Sequence, residues 1–261
     1  MNKARLIILL LLCFIIHHIV ALDNGFPIYS GGLASSGLTL LSVSPASSFH
    51  NPAVSSQGFA FSYAVPYEFY DMSISSLFYQ SHYKSFSYGL GTAFLYDDSY
   101  QEETFSLNVQ YVQQNVIVGV NGKYLRQEAT DYRTINAFTA DMGMRLKYES
   151  VQASWCVRNI TESRYKEVEM PVSYNAEIAY YVAANVSVGA GYEKKEESYY
   201  NVGAKLEINP FIQLVSSYMI DSGQFACGFQ TSINKYRIDY GVKFHPYLEQ
   251  SHSLTVNYFF K

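Results

Sequence analysis

Ser251-His252-Ser253-Leu254-Thr255-Val256-Asn257-Tyr258-Phe259-Phe260 is the stretch that decides the fold. Leu254, Val256, Tyr258 and Phe260 alternate with Ser253, Thr255 and Asn257. Side chains leave a strand on opposite faces with period two, so one face here is apolar and aromatic and the other polar. The same period runs upstream to Gly58. Segments of about ten residues separated by polar turns are the signature of membrane-crossing strands. Strands are expected at 58–65, 72–80, 86–96, 103–112, 115–125, 135–148, 150–158, 172–181, 184–192, 199–208, 211–220, 223–231, 235–244 and 251–260. The alternation is weakest in 72–80, where it slips between Ile74 and Leu77.

The count of about 14 is even, as a closed bacterial barrel requires. The links alternate as well. Gln113-Gln114, Glu149-Ser150, Ala183, Asn209-Pro210 and Asn234-Lys235 are short, whereas Asp97–Glu102, Arg126–Thr134, Asn159–Pro171 and Glu193–Ser198 read as longer and charged, with His245–Gln250 moderate. Short turns on one side and longer loops on the other put both chain ends at the short-turn end, facing the periplasm. Parity assigns the faces. Tyr236, Ile238, Tyr240, Val242 and Phe244 are expected toward lipid, with Arg237, Asp239, Gly241 and Lys243 toward the lumen. Met142, Met144, Leu146 and Tyr148 oppose Asp141, Arg145 and Lys147 in the same way, and Lys205 and Glu207 oppose Val202, Ala204 and Leu206. A charge on the lipid face near the midplane costs roughly 2–4 kcal/mol, so charges collect on one parity. A secreted β-sandwich also alternates, but its strands are shorter and the count would be high for one domain.

The beginning of the chain and its composition agree. Lys3 and Arg5 precede an apolar run from Leu6 to Ile16, and Ala21 offers a small residue for cleavage, so residues 1–21 read as a signal peptide. The run is too short for a helix of about 20 residues crossing the bilayer. The chain holds 25 Tyr and 17 Phe with only 15% charged residues, where soluble domains carry about 25%. Lys3 and Arg5 are two of 18 basic residues and residues 1–21 hold no acid, so the remainder has 16 basic against 22 acidic side chains, a net of −6. With no basic cluster, there is no footprint for nucleic acid. Cys156 and Cys227 lie on opposite parities of their strands and are not expected to pair.

Residues 22–56 are not strand-like. Tyr29–Leu38 is rich in Gly and Ser, including Gly31, Gly32 and Gly37, and Ser44–Ala53 ends in Phe49-His50-Asn51-Pro52-Ala53. Leu38, Leu40, Leu41, Val43 and Phe49 need cover, which argues against a free linker. Small residues of lumen parity (Ala60, Ser62, Ser87, Gly89, Gly91, Ser187, Gly189 and Gly191) leave room inside the barrel for a segment or a ligand.

The Gly/Ala/Ser-rich stretch followed by Asn51-Pro52-Ala53 before the first strand resembles the start of FadL-like barrels, and within them the PorV/PorQ relatives associated with type IX secretion. The pattern Asp239-Tyr240, His245-Pro246 and Ser251-His252-Ser253-Leu254 is similar to that group's ending. Two departures stand out: Ser44-Pro45 replaces the usual acidic pair, and the barrel is short for a fatty-acid transporter. The resemblance implies a hatch or plug at 22–56 carrying Gly31, Gly32, Gly37, Phe49, His50, Asn51, Pro52 and Ala53. It also implies either passage of a hydrophobic or amphipathic solute or docking of an exported protein. The terminal strand, with Tyr258 and Phe260 followed by Lys261, looks like the last strand of an outer-membrane barrel. Such strands end in aromatics that address the barrel-assembly machinery.

Motifs for chemistry are missing. Gly119–Lys123 lacks the spacing of a phosphate loop, and neither Gly-x-Ser-x-Gly nor His-Glu-x-x-His occurs. His50, His82, His245 and His252 are not spaced as metal ligands. No enzyme, metal or cofactor is expected. Lys123, Asp141, Arg145, Arg158, Glu177, Lys205, Glu207, Arg237, Asp239 and Lys243 are the inward charges, nearly balanced in sign, and read first as ion pairs filling the lumen and second as a permeation path. The expectation is an all-β transmembrane antiparallel barrel (57–261) of about 14 strands with an N-terminal plug segment. Its place is the outer membrane of a Gram-negative-type bacterium, among outer-membrane lipid.

Overall fold

The computed structural model describes residues 28–130, 134–161, 164–165, 168–169 and 171–260. The expected signal peptide at 1–21, residues 22–27 of the expected plug and Lys261 lie outside them. The strands are β1 Gly58–Val65, β2 Ser73–Tyr83, β3 Phe86–Asp97, β4 Tyr100–Gln113, β5 Val116–Ala129, β6 Ile135–Tyr148 and β7 Val151–Arg158. A two-stranded pair, β8 Arg164–Tyr165 and β9 Val168–Glu169, follows in the connection. The rest are β10 Ser173–Ala183, β11 Val186–Lys194, β12 Ser198–Asn209, β13 Ile212–Met219, β14 Gln224–Ile233, β15 Tyr236–Phe244 and β16 Ser251–Phe259.

All but β8 and β9 form one closed antiparallel barrel of 14 strands, each paired with its chain neighbour in the barrel, and β1 zips onto β16 from Gly58↔Phe259 to Val65↔His252. Closure leaves no backbone edge unpaired, which is the condition for a sheet to sit in hydrocarbon. The aromatic end of the last strand supports the seam: Phe260 lies 5.4 Å from Phe59 and 5.9 Å from Tyr258, which lies 5.1 Å from Tyr236.

The 14 barrel strands coincide with the expected ones, and the faces follow parity. Phe61, Leu90, Leu107, Phe138 and Ile238 are exposed, while Asn108, Asn121, Asp141 and Asp239 are buried. The slip in β2 has a cause. Ile74 and Phe78 point inward, into a cluster with Ile28, Tyr29, Ala46 and Phe49. The strand is therefore apolar on both faces, and alternation fades where the lumen is itself greasy. Three links are shorter than expected, among them Arg126–Thr134, of which 126–129 belong to β5. β3 and β4 are joined by residues 98–99 alone, and β11 and β12 by 195–197, so four of the six residues of the expected link Asp97–Glu102 and three of the six of Glu193–Ser198 are strand. Asp97 Oδ1 accepts from the Ser99 N–H at 3.0 Å and closes the first turn.

Residues 28–57 lie inside the barrel. A short helix, α1 Ser30–Ala34, packs against β13 to β16, and a 3-10 turn at Pro45–Phe49 packs against β1, β2 and β4. Ser44 caps that turn, accepting from the Ala46 N–H at 3.0 Å while Ser47 Oγ accepts from the Ser44 N–H at 2.9 Å, and Pro45 occupies the first turn.

Candidate functional site: the barrel lumen

The wall reads the backbone of the inner segment. Lys123 on β5 donates to the Phe49 carbonyl at 3.0 Å, lies 4.2 Å from the Phe49 ring centroid and pairs with Asp141 on β6 at 2.8 Å, both side chains fully buried. Asn121 donates to the Ser48 carbonyl at 2.7 Å, and Asn108 and Gln110 converge on the Pro52 carbonyl at 3.1 and 2.7 Å. Across the lumen, Glu177 accepts from the Thr39 hydroxyl at 2.9 Å and the Leu40 N–H at 3.1 Å. Arg237 holds Asp239 at 2.8 Å and donates to the Val43 carbonyl at 3.1 Å. Asn201 donates to the Ser36 carbonyl at 2.8 Å, Ser217 to the Ala34 carbonyl at 2.9 Å, and the Ser30 N–H donates to Thr255 Oγ1 at 2.8 Å. A buried backbone carbonyl without a partner is costly, and these side chains meet that demand for a segment with little regular structure.

Close approach needs missing side chains. A Cβ on Gly119 would stand 2.1 Å from the Pro52 carbonyl oxygen, and one on Gly143 2.5 Å from Asn51 Oδ1. Gly241 faces the Ser30 carbonyl and Gly203 faces Leu38 and Leu41 in the same manner. Within the segment, a Cβ on Gly31 would meet Ser42 Oγ and one on Gly32 the Tyr29 ring, while Gly37 turns the chain at φ +85°. Asn51 Oδ1 accepts from the Ala53 N–H at 3.0 Å, forming the turn into β1. His50 rests between Tyr29 and Phe49, with ring centroids 5.8 and 5.7 Å away. Burial, then the nearby Arg158, Lys123 and Lys195, hold its pKa well below the usual value. Burial likewise raises that of the Tyr29 hydroxyl.

The inward charges divide into three sets. Lys123, Asp141, Glu177, Arg237 and Asp239 grip or brace the inner segment, as above. Arg158 pairs with Glu193 and donates to Ser173 Oγ at 3.1 Å near the long-loop end, where Lys195 meets Glu193 at 3.2 Å and Lys243 donates to the Met219 sulfur at 3.3 Å. Arg145, Lys205 and Glu207 are partly exposed toward the short-turn end, with Arg145 donating to Gln152. A cavity of about 50 Å³ lined by Thr39, His50, Asn175, Glu177 and Lys243 separates the first two sets. That is room for one or two waters, against roughly 300–1,000 Å³ for a small-molecule pocket. Sequence reading had singled out the charges and missed the neutral donors Asn108, Gln110, Asn121, Asn201 and Ser217. Their only signal is an amide or hydroxyl on lumen parity.

One wall differs. The inward faces of β1, β2 and β3 carry Ala60, Ala64, Ile74, Phe78, Ala93 and Leu95, an apolar strip of the registers Ala64↔Ile74↔Leu95 and Ala60↔Phe78↔Gly91 with Ser62↔Ser76↔Ala93 between them. It runs from the long-loop end to mid-barrel and is covered by Ile28, Tyr29 and Phe49.

No protein-family model matches the chain, and no curated protein matches it in sequence. Solved structures do match in fold. The Ralstonia pickettii toluene transporter TbuX superposes with a TM-score of 0.66 at 11% identity, covering 93% of this chain and 100% of its own. A Pseudomonas aeruginosa FadL homologue gives 0.60 at 11% identity, with 89% and 98% covered. A mutant of the monoaromatic hydrocarbon channel TodX gives 0.61 at 10%, with 89% and 97% covered. The chain shares its barrel fold with these three proteins, in line with the likeness to FadL-like barrels read from Gly31–Ala53.

Proposed function

We propose that this chain is a plugged outer-membrane channel that passes a small hydrophobic or amphipathic solute, with the segment 22–56 as its movable hatch. The observation that carries the reading is the cluster of inward apolar side chains on β1–β3, in a lumen whose remaining wall is mainly amides, hydroxyls, glycines and charges. A solute entering from the long-loop end would track Leu95, Ile74 and Phe78 once Ile28, Tyr29 and Phe49 draw back. The cover is held by a few hydrogen bonds to the wall, each worth about 1 kcal/mol net where neutral and about 1.5–3 kcal/mol for the Lys123 ammonium on the Phe49 carbonyl, so a local displacement costs far less than opening the barrel. The names of TbuX and TodX speak of toluene and monoaromatic hydrocarbons. That chemistry suits the strip. The basic, apolar leader at 1–21 would direct export.

The test is entry of toluene or octanoate into vesicles carrying the folded protein. The protein should speed entry over empty vesicles, and Phe78→Gln should reduce the gain at least fivefold while the barrel still folds. Equal entry with and without the protein would contradict the proposal. A second reading, a scaffold or carrier for exported proteins, is favoured by how completely the inner segment is bonded to the wall.

A further inference from the structure

Barrel closure brings together two loops far apart in sequence, 66–72 after β1 and 245–250 before β16. The Tyr67 N–H donates to Ser251 Oγ at 2.9 Å, and His252 Nε2 lies 3.4 Å from Glu68 Oε1. Tyr67 and Glu68 both hold left-handed backbones, φ 50° and 54°. That conformation is costly for residues other than glycine and is kept only where the surroundings impose it. His245 Nδ1 accepts from the N–H groups of Tyr247 and Leu248 at 3.2 and 3.1 Å, which fixes the second loop. Burial and Lys243 lower its pKa, in keeping with Nδ1 acting as an acceptor.

The result is a row of rings along the rim: Phe69 to Tyr67 6.1 Å, Tyr67 to His245 5.8 Å, His245 to Tyr247 6.1 Å between centroids. The row ends in the open. Tyr247 is 89% exposed, and Tyr70 beside Phe69 is 79% exposed, more than any wall aromatic. Glu68, Asp71 and Glu249 are the charged residues of the two loops, which contain no Lys or Arg.

We propose that this rim is a docking surface for a basic, extended polypeptide segment of a partner protein. Charge selects the occupant. Three carboxylates repel an anionic membrane surface, and a symmetric contact with a second copy would press this patch of acids without a base onto another like it. Rings flanked by acids attract Lys and Arg through both their faces and the field. Length agrees too, because a row of three steps near 6 Å matches about five residues of extended chain at ~3.3 Å each. The site lies on the rim rather than in the lumen, so it stands or falls independently of solute passage.

The experiment uses the full chain in zwitterionic-lipid nanodiscs and a fluorescent ten-residue peptide of alternating Lys and Thr, with alternating Glu and Thr as control. Saturable binding of the Lys peptide alone is expected. Phe69→Ser with Tyr247→Ser should weaken it at least tenfold, and Asp71→Asn with Glu249→Gln at least fivefold. Phe69→Tyr with Tyr247→Phe should retain it, which guards against a mere folding defect. The proposal is overturned by absence of saturable Lys-peptide binding, by equal binding of the Glu peptide, or by undiminished affinity in the Ser variants. It is equally overturned if the same variants abolish self-association of the protein or adhesion to anionic vesicles instead.

Discussion

Lys123 and Asp141 show what a lumen charge does in this protein. Their side chains are fully buried, 2.8 Å apart, and the ammonium also serves the Phe49 carbonyl. Removing one member of such a pair strands the other charge, at about 3–5 kcal/mol, whereas replacing both with apolar residues can be nearly neutral. Asp141→Ala should therefore lower the urea midpoint of unfolding from lipid vesicles sharply, and Lys123→Met with Asp141→Leu should recover only part of the loss, because the Phe49 carbonyl and the Asn159 N–H then lose their partners. His50 sets a pH limit. Its folded pKa lies below the unfolded value of about 6.5, so the unfolded chain binds the extra proton. Stability is fully present above that value and falls as pH drops toward the folded pKa, by at most about 1.4 kcal/mol per pH unit. Unfolding midpoints at pH 7.5 and 5.5 should differ, and His50→Gln should narrow the gap.

At the scale of elements, β5 carries two glycines with opposite tasks. Gly119 points inward at 2.1 Å from the Pro52 carbonyl oxygen for any added Cβ, whereas Gly122 points outward with nothing within 4 Å. Gly119→Val should cost about 1–3 kcal/mol by overpacking, and Gly122→Val should be neutral or stabilising, since a β-branched residue suits a strand. Refolding yield of the two variants, read by gel mobility, separates them. The strands were legible in the sequence because a barrel with one apolar and one polar face imposes a period of two on most of them. Turn lengths were less so. Polar residues at Asp97–Glu102 look like loop, yet Glu102 faces inward and is buried, receiving bonds from Tyr100 and Gln127. The β8–β9 pair left no periodic trace because each strand has only two residues. In β2, the inward Ile74 and Phe78 blurred the pattern because their environment is the apolar side of the inner segment.

For the whole molecule, parity located the lumen but carried no depth. Arg145 and Lys123 have the same parity and opposite environments, one partly exposed near the short turns and one sealed against Phe49. What distinguishes them is where residues 28–57 lie, a long-range placement built from single hydrogen bonds and glycine gaps that no local pattern encodes. The same placement raises the question on which function turns: whether the segment moves. Ser36 and Ser217 bring their Oγ atoms to 2.8 Å, and Ser30 and Ser253 to 3.0 Å, one partner of each pair on the inner segment and one on the wall. Cysteines at either pair would be close enough to bridge. The most direct measurement is toluene or octanoate entry into vesicles holding Ser36→Cys with Ser217→Cys, with Cys156 and Cys227 replaced by serine, before and after reduction. A movable hatch predicts entry near the empty-vesicle rate when the bridge is oxidised and at least fivefold faster entry once it is reduced; identical entry in both states would contradict it.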